Sequence, residues 1–255
     1  MKLCALFLAG TAALAGGLSS VDAAPSRLGA RGPASAYAAG QTLLKAHQYR
    51  QAQVAFRKAI AQKDHLALAY AGLGTADIDL GDLVGGFKSY QQAAKLLPGS
   101  AAMNYYAGFA ALYAHAYTWA VTYASRSILL HPNYYPSYHL RFLAYGRLQS
   151  KKKQVSDAHT EVKLSPSNPD AWDDYGIALG NDGQLPKSIS AFGKAIKLRP
   201  SYWAYYKNRA IIEIYNKQQG QALKDFEKAG ALAPDQADKK LMNDTAAKLK
   251  KRMHH

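Results

Sequence analysis

Cysteine and acidic residues are scarce in this chain of 255 residues. The single cysteine is Cys4, which excludes an internal disulfide framework and a cysteine-based zinc site. Acidic residues number 17 against 32 lysines and arginines, so the formal net charge is +15 and acidic partners are favoured. Hydrophobic residues make up 49% of the chain, which is too many for a disordered protein and enough for the core of one large domain or two small ones.

Motifs for catalysis are also missing. The sequence has no glycine-rich phosphate-binding loop, no His-Glu-x-x-His motif and no nucleophile elbow. Asp77, Asp79 and Asp82 lie close together but lack the ligand spacing of a calcium loop. The histidines are scattered, and no spacing pairs them as metal ligands. We therefore predict a protein that is not an enzyme and has no cofactor and no metal site.

Residues 1–23 have the pattern of a secretory signal peptide. A positively charged start is followed by an uncharged run, Leu3 to Leu18, which is too short for a typical membrane span. Val21 and Ala23 occupy the −3 and −1 positions of a cleavage site, which predicts a cut after Ala23. The pattern therefore predicts a periplasmic or secreted protein with no stable membrane insertion after cleavage. An uncleaved membrane anchor is the alternative.

A period of 34 residues runs through most of the remaining chain. Five prolines recur at this interval, each with a leucine two residues before it: Leu96 and Pro98, Leu130 and Pro132, Leu164 and Pro166, Leu198 and Pro200, Leu232 and Pro234. Counting each repeat as ending two residues after its proline gives 67–100, 101–134, 135–168, 169–202 and 203–236. Extrapolation backwards gives a first repeat at 33–66, with Asp64 in place of the proline.

Each repeat holds two blocks of apolar residues at helical spacing, separated by a turn near its fifteenth position. Positions 8, 20 and 27 are mostly small, and position 24 is often aromatic. This pattern resembles the tetratricopeptide repeat (TPR), with six tandem copies over residues 33–236. The resemblance implies an all-α fold, a right-handed α-α solenoid or superhelix of helical hairpins in which neighbouring repeats bury each other's apolar faces.

The segments that flank the repeats have their own composition. Residues 24–32 are predicted to be a flexible linker. Residues 237–255 are predicted to be a basic capping helix and tail, with Leu241, Ala246, Ala247 and Leu249 as its apolar residues.

In the TPR family the first helices of the repeats line a concave groove that binds a partner. The matching positions supply the candidate partner-binding residues Tyr37, Lys45, Tyr105, Phe109, Tyr113, His139, Asp173, Ile177, Lys207, Ile211 and Tyr215. Some family members use a lysine and asparagine clamp for peptide C-termini. That clamp is not expected here, because tyrosine, phenylalanine, aspartate and isoleucine stand at its positions and Lys207 alone fits.

The resemblance implies a scaffold or adaptor that binds a segment of a partner protein, and the signal-peptide pattern predicts that this partner lies in the envelope. The alternative is an accessory protein of polysaccharide or envelope-polymer export that contacts an anionic polymer, for which Lys151, Lys152 and Lys153 are weak anion-binding candidates. The basic residues are patchy and form no continuous stripe, so a nucleic-acid partner is not expected.

The fourth repeat departs most from the pattern. Phe142, Gln154 and Glu161 replace small residues at positions 8, 20 and 27. Two outcomes are open: local repacking, or a spread joint that divides the array into repeats one to three and four to six. Because a buried unpaired carboxylate is costly, Glu161 should be exposed or paired with Lys163 or another basic residue.

Overall fold

The computed structural model describes residues 35–253, which contain thirteen α-helices and no strand. The predicted signal peptide, the linker, the first two residues of the first repeat and the final two histidines lie outside the described residues. The helices are α1 (Ala36–Lys45), α2 (Tyr49–Ala61), α3 (Leu66–Asp79), α4 (Leu83–Leu96), α5 (Ala101–Tyr113), α6 (Tyr117–Leu130), α7 (Tyr135–Arg147), α8 (Lys151–Leu164), α9 (Pro169–Asn181), α10 (Leu185–Leu198), α11 (Trp203–Tyr215), α12 (Gln219–Leu232) and α13 (Gln236–Met253).

Each predicted repeat contributes one pair of neighbouring helices, which confirms the all-α architecture of tandem hairpins. The leucine two residues before each proline is the last residue of α4, α6, α8, α10 and α12. Proline ends these helices because its ring removes a backbone donor and restricts the residue before it. The chain divides into two compact units: the first ends at Leu97 and holds α1–α4, and the second begins at Pro98 and holds α5–α13.

The turn inside every hairpin uses a left-handed residue at the fifteenth position of the repeat. In two repeats this residue is a glycine, Gly81 or Gly183. The other four repeats use His47, His115, Gln149 and Lys217, with φ angles of 54° to 61°. The Nδ1 atoms of His47 and His115 each lie 2.7 Å from the hydroxyl of a tyrosine two residues later. These exposed histidines therefore have a local structural role.

The link between repeats is held by a hydrogen bond to the proline carbonyl. Trp172 Nε1 donates to the Pro166 carbonyl at 2.8 Å, and Tyr138 donates through its hydroxyl to Pro132 at 2.9 Å. Tyr206 and Asn104 make the same contact to Pro200 and Pro98 at 3.0 and 3.1 Å. In the first repeat Asp64 replaces the proline and instead accepts a hydrogen bond from the backbone N–H of Tyr37 at 2.8 Å.

In the first, second, fifth and sixth hairpins, the core pairs a small residue at position 8 of the first helix with a ring at position 24 of the second. A Cβ atom on Gly176 would lie 2.7 Å from the Phe192 ring, so a larger residue there would require the ring to shift. The fourth repeat reverses this pairing, because Phe142 on α7 packs against Ala158 on α8. The other large residue, Gln154, packs over Gly146, which has no side chain to obstruct it.

Complementary partners thus accommodate the bulky residues of the fourth repeat, which supports local repacking. The boundary between the two compact units falls at Leu97–Pro98 and not at the fourth repeat, so the alternative of a division there is not favoured. Glu161 is fully buried and paired, as expected, but its partner is His139 and not Lys163.

Helix α13 closes the second compact unit. Met242, Ala246 and Leu249 lie at helical spacing and pack against the cluster that contains Phe226 and Ala229 of α12. The predicted apolar face was partly wrong: Ala247 is exposed and Leu241 is 58% exposed, whereas Met242 is 3% exposed. No helix among residues 35–253 combines the length and the hydrophobicity needed to cross a membrane.

Candidate functional site

The predicted groove residues lie on the first helices of the hairpins, in both compact units. Tyr37 and Lys45 are on α1 in the first unit, where the Tyr37 ring stacks on His65 with centroids 4.8 Å apart and Lys45 is exposed. The remaining nine candidates are on α5, α7, α9 and α11 in the second unit. We call these nine the first-helix face: Tyr105, Phe109, Tyr113, His139, Asp173, Ile177, Lys207, Ile211 and Tyr215.

The aromatic residues of α5 form a connected cluster. Phe109 lies 4.6 Å from Tyr113 and 6.2 Å from Tyr105, measured between ring centroids, and Tyr134 meets Tyr105 edge-on at 5.5 Å. Burial and the neighbouring phenols raise the pKa of Tyr105 and bring that of Tyr106 to about 12. The hydroxyls therefore stay neutral near pH 7 and can both donate and accept hydrogen bonds.

His139 joins two carboxylates from different helices. Its Nδ1 atom lies 3.0 Å from Asp174 Oδ2 on α9 and 3.3 Å from Glu161 Oε2 on α8. Burial opposes the charged imidazole, but the hydrogen bonds to both carboxylates outweigh it and raise the pKa of His139 to about 10. Burial also raises the pKa of Glu161 to about 7 against the effect of His139.

Polar contacts also connect α9 to α11. The Asp173 carboxylate accepts hydrogen bonds from Asn208 Nδ2 at 3.0 and 3.3 Å, and burial raises its pKa to about 6. Asp170 accepts from the Tyr205 hydroxyl and pairs with Arg199 at 3.2 Å.

Apolar surface remains open at the end of the first-helix face. The ammonium of Lys207 lies over the Trp203 ring, 5.2 Å from its centroid. Ile177 is half-buried, whereas Ile211 and Tyr215 are exposed.

The three lysines proposed for anion binding begin helix α8. Lys151, Lys152 and Lys153 are all exposed, and Lys153 lies 5.6 Å from the centroid of the Tyr145 ring. A helix N-terminus carries partial positive charge, so the dipole of α8 does not offset the positive charge of these lysines.

No protein-family model matches the chain. A search of curated proteins also gives no match. Among solved structures, residues 41 to the end of MamA from Desulfovibrio magneticus RS-1 align with a TM-score of 0.62 and 21% identity, over 67% of this chain and 96% of that one. YrrB, described as a TPR protein with an unusual peptide-binding site, aligns with a TM-score of 0.60 and 20% identity, over 74% of this chain and 97% of that one. This chain has the TPR fold.

At these identities the likeness is one of fold and says nothing about a binding site.

Two ion pairs of the TPR array were not predicted from the sequence. Arg141 forms a bidentate pair with Asp157 at 2.7 and 2.8 Å, and Arg209 pairs with Asp225 at 2.6 and 2.9 Å. Both pairs occupy positions 7 and 23 of their TPR repeats, so the 34-residue register contained the signal. The same holds for His139 and Glu161, at positions 5 and 27.

Proposed function

We propose that this TPR protein is an interaction scaffold, not an enzyme, and that its first-helix face binds an extended segment of a partner protein. The aromatic cluster on α5 carries the proposal. Tyr105, Phe109 and Tyr113 are only half-buried and make ring contacts with one another, so they offer rigid apolar area, and the two tyrosines add polar hydroxyls. Such residues contribute large contact area at low entropic cost in protein interfaces.

The likeness to YrrB, described as having a peptide-binding site, supports the same proposal at the level of the fold. The exposed Ile211 and Tyr215 extend the apolar surface onto α11. Between the two apolar regions, the carboxylate of Asp173 would favour a partner segment with a basic or amide side chain.

The experiment compares two variants in affinity capture from the source cells, with quantitative mass spectrometry of the bound proteins. In the double variant Phe109→Ala and Tyr113→Ala, capture of specific partners should fall at least about tenfold. The matched control is Trp119→Ala, which removes an exposed aromatic ring from the second helix of the same repeat and should leave capture unchanged. Equal capture by the double variant and the wild type would reject the first-helix face as the binding surface.

We also propose that the protein is exported and acts in the envelope. The support is the signal-peptide pattern of residues 1–23. Intact-mass analysis of the native protein should find a mature N-terminus at Ala24. A chain that retains Met1 in the cytoplasmic fraction would reject this proposal.

A second candidate function is contact with an anionic polysaccharide during polymer export. It is favoured by the three exposed lysines at the start of α8 and by the net charge of +15. Replacing Lys151, Lys152 and Lys153 with glutamine should then weaken binding to an anionic polysaccharide and reduce its salt dependence. Unchanged binding would leave the protein partner as the only candidate.

A further inference from the structure

His139, Glu161 and Asp174 come from three successive helices, α7, α8 and α9, and converge on one point. Their nearest ligand atoms, one from each side chain, all lie within 4.8 Å of one another. The sequence places them far apart, at positions 5 and 27 of the fourth repeat and position 6 of the fifth. Glu161 stands where the other five repeats have alanine or serine, so this group occurs once in the array.

Protein contacts alone leave the group incompletely satisfied. The Nδ1 atom of His139 faces both carboxylates, but it has at most one hydrogen to donate. The Glu161 side chain is fully buried, and its Oε1 atom has no hydrogen-bond partner within residues 35–253. The Tyr135 hydroxyl is a further hydrogen-bonding neighbour of the Glu161 carboxylate and raises no objection to an ion, because a phenol can donate to one carboxylate oxygen only. A buried carboxylate oxygen without a partner is costly, because it loses water and gains nothing in return.

We propose that His139, Glu161 and Asp174 form a binding site for a divalent transition-metal ion. The ion would be held by the Nδ1 atom of His139 and by one oxygen or both from each carboxylate. It would supply the positive charge that the two carboxylates share. It would also be the coordination partner of Glu161 Oε1. The three residues lie on the helices that join the fourth repeat to the fifth, so the ion would also link these repeats.

Two of the three distances between the ligand atoms match those around such an ion. Ligands about 2.1 Å from a metal are about 3.0 Å apart in an octahedral site and about 3.4 Å apart in a tetrahedral one. The two Nδ1 to oxygen distances, 3.0 and 3.3 Å, lie in this range. These two distances allow an ion to replace the Nδ1 proton, with the two carboxylate oxygens within 4.8 Å of each other.

The ligand types narrow the choice of ion. An imidazole nitrogen disfavours Ca²⁺ and Mg²⁺, which take oxygen ligands, whereas one imidazole with two carboxylates suits Zn²⁺ or Mn²⁺. Three protein ligands leave at least one coordination position unfilled. The His139 side chain is 38% exposed and that of Asp174 14% exposed, so solvent reaches the group and water can complete the coordination.

The test measures binding of Zn²⁺ and Mn²⁺, each alone, to the full chain by isothermal titration calorimetry, with Mg²⁺ as the comparison ion. The wild type should bind one Zn²⁺ or Mn²⁺ more tightly than Mg²⁺, and its melting temperature should rise. Asp174→Asn keeps the shape of the side chain and removes one anionic ligand, so it should weaken this binding by about tenfold or more. The exposed His131 supplies the matched control, His131→Asn, which should bind as the wild type does.

The terminal His254 and His255 are a second source of imidazole, so the titration is repeated on a chain without them. Circular dichroism checks that each variant is helical. Substituting Co²⁺ adds a spectroscopic readout, because its visible absorption should change between the wild type and Asp174→Asn. The proposal is overturned if the shortened chain binds no metal, or if Asp174→Asn and the wild type bind it equally. Failure of partner capture by the first-helix face would leave these metal measurements unaffected.

Discussion

Glu213 is a buried carboxylate on α11 whose Oε2 atom has no hydrogen-bond partner within residues 35–253. Burial and the neighbouring Asp225 raise its pKa from 4.5 to about 7, although Arg209 lies 3.7 Å away and acts in the opposite direction. The raised pKa means that the folded chain holds an extra proton between these two values. Glu213 therefore lowers the free energy of unfolding progressively as the pH rises from about 4.5 to 7, and the loss is complete above pH 7.

Glu213→Gln removes this titration while keeping the shape of the side chain. We expect the variant to match the wild type near pH 4.5 and to be more stable by about 1–3 kcal/mol at pH 8. Urea unfolding at both pH values measures the difference. The exposed Glu227 on α12 provides the control variant, Glu227→Gln, which should show no such dependence. A Glu213→Gln variant that is no more stable than the wild type at pH 8 would show that Arg209 already compensates the charge.

The turn residues with a left-handed backbone can be changed to glycine or from glycine, and these two changes should have opposite effects on the free energy of unfolding. Gln149 has a φ angle of 54°, which costs a residue with a side chain about 1 kcal/mol relative to glycine. Gln149→Gly should therefore raise the free energy of unfolding by about 0.5–1 kcal/mol. Gly183→Ala should lower it by a similar amount, because its φ angle is 80° and no atom lies within 4 Å of the added Cβ. Thermal unfolding of the two variants decides the matter; a shift of the same sign in both would refute the explanation.

At the scale of helices, the reversed core of the fourth repeat predicts strong coupling between Phe142 and Ala158. Phe142→Gly removes a buried ring and should destabilise the protein by about 3–5 kcal/mol. Adding Ala158→Phe to that variant rebuilds the glycine and phenylalanine pairing of the fifth repeat and should restore much of the loss. A double-mutant cycle by urea unfolding measures the coupling. Additive effects would show that a large residue at one position does not compensate for a small residue at the other.

The helices were predictable because their limits depend on local chemistry that recurs every 34 residues. Each Leu-x-Pro triplet marks a helix end, and the small residues at positions 8 and 20 mark close approach. The sequence left two outcomes open for the fourth repeat because Phe142, Gln154 and Glu161 were considered singly. Each of these residues meets a partner that offsets it: Ala158, Gly146 and His139. These compensating contacts become visible only when residues on the two helices of the hairpin are considered in pairs.

At the scale of the whole molecule, the register predicted which helices carry the candidate site, but not its side-chain contacts. The sequence named His139 as a groove candidate and Glu161 as the unusual residue at position 27, but it predicted neither their contact nor a metal site. Asp174 belongs to the next repeat, 35 residues from His139, and reaches His139 only when the helices stack. The boundary at Leu97–Pro98 was missed because its Leu-x-Pro triplet is like those at the other repeat ends.

Helix α13 is expected to stabilise the end of the repeat array. In a linear array each repeat is stabilised only by its neighbours, so loss of α13 should affect the last hairpin and not the distant ones. Met242→Ala creates a cavity between α13 and the cluster around Phe226 and should destabilise the chain by about 2–4 kcal/mol. Leu241→Ala removes a similar side chain from the exposed side of the same helix and should cost less than about 0.5 kcal/mol.

Hydrogen exchange followed by mass spectrometry locates the effect of Met242→Ala. Protection of the amides of α11, α12 and α13 should fall, while that of α1–α4 in the first compact unit stays as in the wild type. Uniform loss of protection across both compact units would instead mean that the chain unfolds as one cooperative body. In that case α13 would stabilise the whole protein and not only the last hairpin.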